Sequence, residues 1–421
     1  MIQPLRGTKD ILPNEILIWQ YFYKTVHEIL SIANYNEIRT PIIENTELFL
    51  RSIGNDTDII NKEMYTFKDQ GERNITLRPE GTASIVRALI HNKLYSTSNI
   101  SRLWYFGPMF RYERPQQGRQ RQFHQLGIEC IGIQNPAADV EVIRLAIKIL
   151  DSLNFNQYKL EINSIGNIKE RKIYTEKLIS YLNKYKEELD EDSRNRLKTN
   201  PLRILDSKNN TTQKILVDAP KLKSCLESES LEHFYKICEH LKYLEIPYKI
   251  NEKLVRGLDY YNYTAFEIKS NKLSNQNTIC GGGRYDKLIE QLGGPCIPSV
   301  GWAIGIERLL LIIEDSIIIK EKKIYAYIAL QGNFAREKIW KIIKVLEINK
   351  INYELDLSEN SLKKQLKRAN LMKVNICFIL RENEIKNNQI IIKWLETGKQ
   401  NEIELEKLEK YILEVKNLII T

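Results

Sequence analysis

The stretch FRYERPQQGRQRQFHQLGIE at residues 110–129 concentrates positive charge, because Arg111, Arg114, Arg119 and Arg121 fall within eleven residues. A guanidinium stays charged at physiological pH, and its planar fork of donors matches the oxygens of a phosphate. Pro115 and Gly118 turn the chain between two of these arginines. Arg111 and Arg119 would then lie on two limbs of a loop and could clamp a triphosphate, while Phe123 could stack on a base.

Two further arginines stand in comparable settings, Arg256 in LVRGLDYY and Arg308 in GIERLLL. An arginine near the start of an otherwise apolar helix, as at Arg308, needs a buried partner. One arginine cluster alone usually marks a solvated face. Several clusters in one chain, each beside glycine or aromatic residues, favour anion binding.

A second group of polar residues surrounds two carboxylates, Glu80 in TLRPEGTAS and Glu129. If the segment that contains Glu129 is extended, Gln125 and Glu129 share one face, because side chains alternate along a strand. Together with Tyr261 and Tyr285 they predict a polar pocket for a small, partly cationic ligand such as an amino acid. The alternative is that these are ordinary surface or hydrogen-bonded residues.

The sequence lacks the common motifs of nucleotide and metal chemistry. It contains no G-x-x-x-x-G-K-[ST] phosphate loop, no G-x-G-x-x-G after a strand, no kinase set and no G-x-S-x-G elbow. The six cysteines form no C-x-x-C pair, and the five histidines form no H-x-x-x-H or H-E-x-x-H pattern. We therefore expect no metal held by a dedicated protein site, and a reducing, cytoplasmic compartment.

Length and composition indicate a soluble globular protein with more than one domain. The chain has 421 residues, 43% hydrophobic and 28% charged, enough for about two or three domains. No apolar run reaches the roughly 18 residues of a membrane helix, and MIQPLRGTKDILP lacks the layout of a signal peptide. The net charge of +9 favours a polyanionic partner such as nucleic acid. The alternative is that genomic base bias enriches lysine on a solvent-exposed surface.

Apolar periodicity supplies the elements that must position these residues. It predicts helices over 14–34 and 137–151, a strand over 38–43 interrupted by Pro41, a strand over 260–270, and a glycine-rich start followed by a helix over 301–314. A proline inside a strand indicates an edge or an interface. Residues 167–245 are charged, helical in pattern and free of glycine, which indicates an inserted helical module.

The C-terminal part has the alternating pattern of an α/β domain of about 95 residues. Buried-type strands are predicted at 324–330 and 375–380, amphipathic helices at 333–350 and 361–371, and a linker at 315–323. In SLKKQLKRAN, residues 361–370, lysines and an arginine surround an apolar face, with Ser361 as a helix cap. This helix is either a solvated amphipath or a surface for RNA phosphates.

The motifs together resemble the bacterial-type histidyl-tRNA synthetase family of class II aminoacyl-tRNA synthetases, over nearly the whole chain. YNEIRTPIIENTELF is similar to the first class motif, FRYERPQQGRQRQFHQLGIE to motif 2 and GWAIGIERLLL to motif 3. LVRGLDYYNYTAFE and GGGRYDKL resemble the two signatures of histidyl enzymes, and SLKKQLKRAN and TGKQ resemble the anticodon-binding domain.

The resemblance implies an α+β fold in two domains. Residues 1–320 would form a class II catalytic domain, with an antiparallel sheet and a helical insertion at about 167–250. Residues 324–421 would form an α/β anticodon-binding domain. It also implies a homodimer, without membrane association, that uses ATP with Mg²⁺, L-histidine and tRNA(His).

The resemblance also implies roles for individual residues. The catalytic residues would be Arg256 and Arg111. The histidine-binding residues would be Glu80, Gly81, Thr82, Arg111, Gln125, Glu129, Arg256, Tyr260, Tyr261 and Tyr285. The ATP-binding residues would be Arg111, Glu113, Arg119, Phe123 and Arg308, and Arg114 and Gln116 would face the acceptor end of the tRNA.

Three alternatives compete with this assignment. A regulatory paralogue of the family senses histidine without charging tRNA, but typically lacks the anticodon domain and catalytic arginines, both of which this sequence retains. A noncatalytic RNA-binding relative is disfavoured by the complete arginine set. A prolyl or threonyl type of synthetase is disfavoured by Glu129 together with the RGLDYY and GGGRYD signatures.

Overall fold

The computed structural model describes residues 1–54, 57–97, 100–272, 277–317, 323–358 and 360–420. The chain divides into two compact units, Met1–Ile319 and Lys320–Thr421. The predicted linker at 315–323 lies partly outside the described residues. Each unit has a hydrophobic core of its own.

The strands of the first unit form one large sheet and one small sheet. They are β1 Asn36–Glu37, β2 Ile43–Asn45, β3 Tyr65–Lys68, β4 Asn74–Leu77, β5 Ser101–Phe110, β6 Gln122–Ile131, β7 Tyr158–Ser164, β8 Tyr248–Ile250, β9 Asn262–Ser270, β10 Thr278–Arg284 and β11 Ser299–Gly305. The large sheet has the order β1-β5-β6-β11-β10-β9-β7-β8, and the small one β2-β4-β3. The large sheet is antiparallel except at the β1–β5 and β7–β8 pairs, which confirms the predicted antiparallel sheet.

The strand predicted over 38–43 is wrong in its extent. Residues 36–37 pair with β5 and residues 43–45 pair with β4, so Pro41 falls in an irregular link between two sheets. The amide of Ile38 still donates to the Trp104 carbonyl at 2.9 Å, one residue beyond β1. Pro41 has no N–H to donate, which is a physical reason for a ladder not to continue through it.

The helices of the first unit cover the large sheet and build a separate module. They are α1 Ile16–Ile32, α2 Thr46–Ile53, α3 Thr82–His91, α4 Leu94–Thr97, α5 Ala137–Ser152, α6 Ile168–Leu182, α7 Glu191–Thr199, α8 Asn210–Ile215, α9 Ser228–Tyr243, α10 Leu288–Gln291 and α11 Ile306–Ile313. Short 3₁₀ turns occupy Asn183–Tyr185, Pro201–Asp206, Leu222–Cys225 and Glu314–Ser316, and a π turn occupies Ile59–Glu63. In α1 the side chains of Phe22, Val26 and Leu30 are buried at helical spacing, as the periodicity predicts.

The helical module, defined here as residues 168–225, has its own hydrophobic core. Its buried members include Tyr174, Leu178, Leu197 and Leu205. A capping box at Asn167 starts its first helix. Helix α9 follows the module in the chain but contributes Phe234, Ile237 and Leu241 to the core of the large sheet instead.

The second unit is an α/β domain with a five-stranded sheet. Its elements are β12 Ala326–Leu330, α12 Asn333–Ile348, β13 Tyr353–Leu355, α13 Leu362–Leu371, β14 Ile376–Leu380, α14 Glu382–Lys386, β15 Gln389–Trp394, β16 Gln400–Glu404 and α15 Leu408–Ile420. The sheet order is β13-β12-β14-β15-β16, with the first three strands parallel. Ser361 precedes α13 at the cap position, but its side chain makes no capping hydrogen bond.

Candidate active site

A cleft that encloses about 970 Å³, with the open solvent at its mouth included, lies on the large sheet of the first unit. The predicted site residues that line it are Glu80, Thr82, Arg111, Glu113, Arg119, Phe123, Gln125, Arg256, Tyr260, Tyr261 and Arg308. They come from the start of α3, the β5–β6 hairpin, the loop before β9 and the first turn of α11. Segments far apart in sequence therefore converge on one cavity.

The β5–β6 hairpin provides the central wall. The segment after the arginine loop is extended, as predicted, and Tyr105 lies opposite Gly127 in the β5–β6 register. A Cβ at Gly127 would collide with the ring of Tyr105. Glycine at this position therefore lets an aromatic ring cross the sheet face beneath the cleft.

Three guanidinium groups meet at one end of the cleft. Arg111 has its Cζ 5.2 Å from the Phe123 ring centroid, and its Nε donates to the Pro79 carbonyl at 2.8 Å. Arg119 pairs with Glu113 at 2.9 Å, and Arg308 Nη1 donates to the Thr278 carbonyl at 2.7 Å. Burial, followed by the charge of Arg119, lowers the pKa of Arg308. Closely spaced positive charges repel one another, and a bound anion would relieve this repulsion.

Arg256 is the fourth arginine of the cleft lining. Its Nη1 lies 2.5 Å from Glu267 Oε1, and its Cζ lies 5.4 Å from the Tyr261 ring centroid. A Cβ at Gly281 on β10 would collide with Arg256 Nη2. Glycine in GGGRYDKL therefore provides the space that this guanidinium occupies.

The part of the cleft at the start of α3 leads into a network of buried carboxylates and hydroxyls. Glu80 accepts hydrogen bonds from the amides of Thr82 and Ala83 at 2.7 Å each, at the start of α3. Thr82 Oγ1 donates to Glu129 Oε1 at 2.7 Å, and the Tyr285 hydroxyl donates to Glu129 Oε2. Burial raises the pKa of Glu80, and raises that of Glu129 to about 8.

Five predicted residues lie outside the cleft lining. Glu129 and Tyr285 are buried beneath its floor, where Thr82 connects the cleft to Glu129. Gly81 packs against the Tyr105 ring. Arg114 and Gln116 are exposed on the loop between β5 and β6.

Several lining residues were missed by the sequence analysis, above all two carboxylates. Glu267 on β9 pairs with Arg256. Glu307, beside Arg308, accepts from the His124 amide at 2.8 Å and approaches His124 Nδ1 at 2.8 Å. Each carboxylate could have been noticed in the sequence as a charged residue within an apolar segment, Glu267 in the strand segment TAFEI and Glu307 in the helix segment IERLLL.

Besides Glu113 Oε2, which is ion-paired with Arg119 at 2.9 Å, three buried polar atoms at this site make no hydrogen bond within the described residues. They are Tyr105 Oη, Gln125 Oε1 and Arg256 Nε. Buried polar groups are normally paired, because an unpaired one costs roughly 1–3 kcal/mol. Their presence fits a site whose ligand is polar.

The chain matches two protein families and has full-length relatives. Residues 7–309 match the family described as Histidyl-tRNA synthetase, and residues 317–415 match Anticodon binding domain. The chain is 64% identical to the chloroplastic histidine–tRNA ligase of Gracilaria tenuistipitata var. liui over 94% of each chain. It is 49% identical to the histidine–tRNA ligase of Acaryochloris marina over 96% of this chain and 94% of the relative.

A solved structure supports the same family assignment. The apo histidyl-tRNA synthetase of S. aureus is 37% identical, with a TM-score of 0.79 over 98% of this chain and 99% of that one. The match extends through both units of the fold described above. The chain belongs to the histidyl-tRNA synthetase family.

Proposed function

We propose that the protein activates L-histidine with ATP to form histidyl-adenylate and then transfers the histidyl group to the 3′ end of tRNA(His). The proposal rests on one observation: an arginine cluster lines the same cleft that Thr82 connects to a buried carboxylate network. The family and the names of the full-length relatives support the same reaction.

The activation step needs positioning and positive charge more than a protein nucleophile. A carboxylate oxygen of histidine forms a bond to the α-phosphorus of ATP, the bond to the β-phosphate oxygen breaks, and pyrophosphate leaves. Such a transfer is accelerated by in-line alignment and by fixed cations where charge develops. Arg111 and Arg256 would serve the α-phosphate and the attacking carboxylate, while Arg119 and Arg308 would hold the outer phosphates.

Adenine and Mg²⁺ would occupy the arginine-rich end of the cleft. Phe123 would stack on the base, since its ring already lies beside Arg111. Mg²⁺ would enter with the phosphates of ATP, because it keeps several waters and uses few protein carboxylates. Glu113, beside Arg119 and Arg111, is the carboxylate we assign to this end.

Histidine would occupy the carboxylate network. Glu80 and Thr82 would hold the α-amino group, with Gly81 at the turn between them. Gln125, Tyr260 and Tyr261 line the cleft and would lie along the substrate. Glu129 with Tyr285, buried beneath the floor of the cleft, would meet the imidazole nitrogens where the ring reaches that floor. A site built to bond both ring nitrogens rejects analogues that lack them by about 10⁴-fold or more.

The tRNA and a second subunit would contact other surfaces. Arg114 and Gln116 are exposed on the arginine loop, where they could reach the acceptor end. In the second unit, α13 exposes Lys363, Lys364 and Lys367 toward solvent, in keeping with phosphate contacts.

A homodimer is supported by apolar side chains on and beside the small sheet. Ile42, Ile43 and Phe67 are 40%, 51% and 47% exposed. Apolar surface of this kind, close to Pro41, suits an interface between subunits. No helix of the described residues is long and apolar enough to cross a membrane. We place the protein where its tRNA is used, the cytoplasm or a plastid stroma, as the chloroplastic relative suggests.

The direct test is ATP–pyrophosphate exchange by the purified protein with each of the twenty amino acids in turn. We expect exchange with histidine alone, followed by transfer of labelled histidine to tRNA(His). A folded protein that binds histidine but exchanges with no amino acid would favour the histidine-sensing regulatory alternative.

Removal of residues 324–421 is expected to impair tRNA charging more than the formation of histidyl-adenylate. We expect kcat/KM for tRNA charging to fall by about 10–100-fold, because phosphate-directed contacts are lost. Histidine-dependent exchange should stay within about twofold, since the cleft lies wholly in the first unit. The double variant Lys364→Glu with Lys367→Glu keeps the domain and should show a weaker form of the same split. Equal losses in both steps would contradict the assignment of tRNA binding to this domain.

A further inference from the structure

The loop that carries Arg256, residues 251–261, packs on both the helical module and the sheet, since Asn163 of β7 donates to the Leu254 carbonyl at 3.0 Å. It connects β8 to β9 and contains no helix or strand. The side chain of Val255, directly before Arg256, is 6% exposed and lies in the hydrophobic core of the module. A residue on an irregular loop takes its position from whatever that loop packs against.

Two arginines of the module bind the loop backbone beyond Arg256. Arg203 Nη1 donates to the Gly257 carbonyl at 3.1 Å. Arg171 Nη1 donates to the Tyr261 carbonyl at 2.5 Å, and its Nη2 donates to the Asp259 carbonyl at 3.3 Å. Alternate carbonyls of the loop, at positions 257, 259 and 261, are therefore satisfied by module side chains rather than by the sheet.

Arg203 is the member of this pair that acts closest to Arg256. It binds the carbonyl of the very next residue, and a Cβ at Gly257 would lie 3.2 Å from Arg203 Nη1. Arg203 itself is held by its place in the turn Pro201–Asp206, whose Ile204 and Leu205 are buried in the module core. The chain of contacts runs from the module core through Arg203 to the backbone of the Arg256 loop.

We propose that Arg203 is a positioning residue for Arg256, through which the helical module sets the place of that guanidinium in the cleft. The proposal rests on the proposed function, in which Arg256 acts on the α-phosphate. A displacement of about 1 Å at a catalytic group can cost about 10²-fold in rate. Because Arg256 would serve the attacking carboxylate and the α-phosphate as they meet, we expect the contact to act on the alignment of the reacting groups more than on the binding of either substrate.

The test begins with Arg203→Ala in the full-length protein. We expect the single-turnover rate of histidyl-adenylate formation to fall by about 10–100-fold, with the KM values for histidine and ATP within about threefold of wild type. Arg203→Lys keeps one donor within reach of the Gly257 carbonyl and should recover part of the rate. The control Arg194→Ala removes an exposed arginine of the same module, which lies 3.9 Å from Glu187. Its single-turnover rate should equal that of wild type.

A double-mutant cycle distinguishes positioning from general support of the fold. If Arg203 acts through Arg256, Arg203→Ala should have little further effect in an Arg256→Ala background, because coupled residues are not additive. Fully multiplicative losses would overturn the proposal, and so would wild-type rates in Arg203→Ala. A wild-type protein without histidine-dependent exchange would instead contradict the proposed function itself.

Discussion

Arg256→Ala is expected to slow histidine-dependent ATP–pyrophosphate exchange by about 10²–10³-fold, the usual loss when one donor to a developing charge is removed. In the cleft the Arg256 guanidinium lies beside Tyr261 and shares the lining with the three other arginines. It therefore adds a cation where the carboxylate and the α-phosphate would meet. The expected loss is in kcat, because the contact strengthens as charge develops in the transition state.

The fold should tolerate this change. Glu267, the partner of Arg256, also lies 3.2 Å from Lys269 Nζ and accepts a hydrogen bond from Thr278 Oγ1 at 3.1 Å. Its charge therefore keeps a counter-ion when Arg256 is removed, which avoids the penalty of an isolated buried carboxylate. The midpoint of thermal unfolding should stay close to that of wild type.

The measurement is the initial rate of exchange at saturating histidine and ATP, with the unfolding midpoint as a parallel readout. Arg102→Ala is the matched control, because it removes an arginine that pairs with Glu141 at 2.8 Å outside the cleft. Unchanged exchange in Arg256→Ala would remove this residue from the catalytic step. A comparable loss in Arg102→Ala would show that disturbed packing, and not missing charge, explains the result.

The sequence predicts most of the arginine site because its signals are local. Residue type, glycine spacing and period-two alternation identify Arg111, Arg119 and Phe123 on one extended hairpin, and the structure brings them into one cleft. Arg256 and Arg308 were also singled out by their glycine-rich or aromatic settings, and the family motifs added the roles proposed for them. The polar character of the histidine side also follows from local alternation between Gln125 and Glu129.

Contacts between distant segments escape such reasoning. Glu307 meets His124 across 183 residues of sequence, and Arg203 meets Gly257 across 54. No periodicity encodes either pair, since each depends on how the sheet and the helical module come together. The sequence also could not reveal that Glu129 lies beneath the floor of the cleft, because burial of a carboxylate depends on the hydroxyls that reach it.

Glu129→Gln should chiefly weaken histidine binding. The substitution keeps the volume of the side chain and leaves hydrogen-bonding groups facing Thr82 and Tyr285, whereas alanine would orphan two buried hydroxyls. Because the carboxyl holds its proton near neutral pH, the bond that is lost is one between neutral groups, which contributes about 0.5–1.5 kcal/mol, or about 2–10-fold in binding. We expect the KM for histidine to rise by this factor while the KM for ATP changes by less than about threefold.

The pH dependence of stability checks that this carboxyl is the buried group described. Its pKa lies near 8 in the folded protein, above its ordinary value of 4.5. Between these values the folded state holds a proton that the unfolded state has lost, so this carboxyl lowers the free energy of unfolding as pH rises from 4.5 to 8. In Glu129→Gln the free energy of unfolding should therefore fall less between pH 4.5 and 8 than in wild type, as measured by denaturant unfolding across that range.

The two readouts together decide the role of Glu129. A raised histidine KM, together with a free energy of unfolding that varies less with pH, supports a buried carboxyl that contacts the substrate at the floor of the cleft. An unaltered histidine KM with the same weaker pH dependence would leave Glu129 as a structural group that holds only Thr82 and Tyr285. In that case Glu80 and Gln125, which line the cleft directly, would have to supply histidine selectivity.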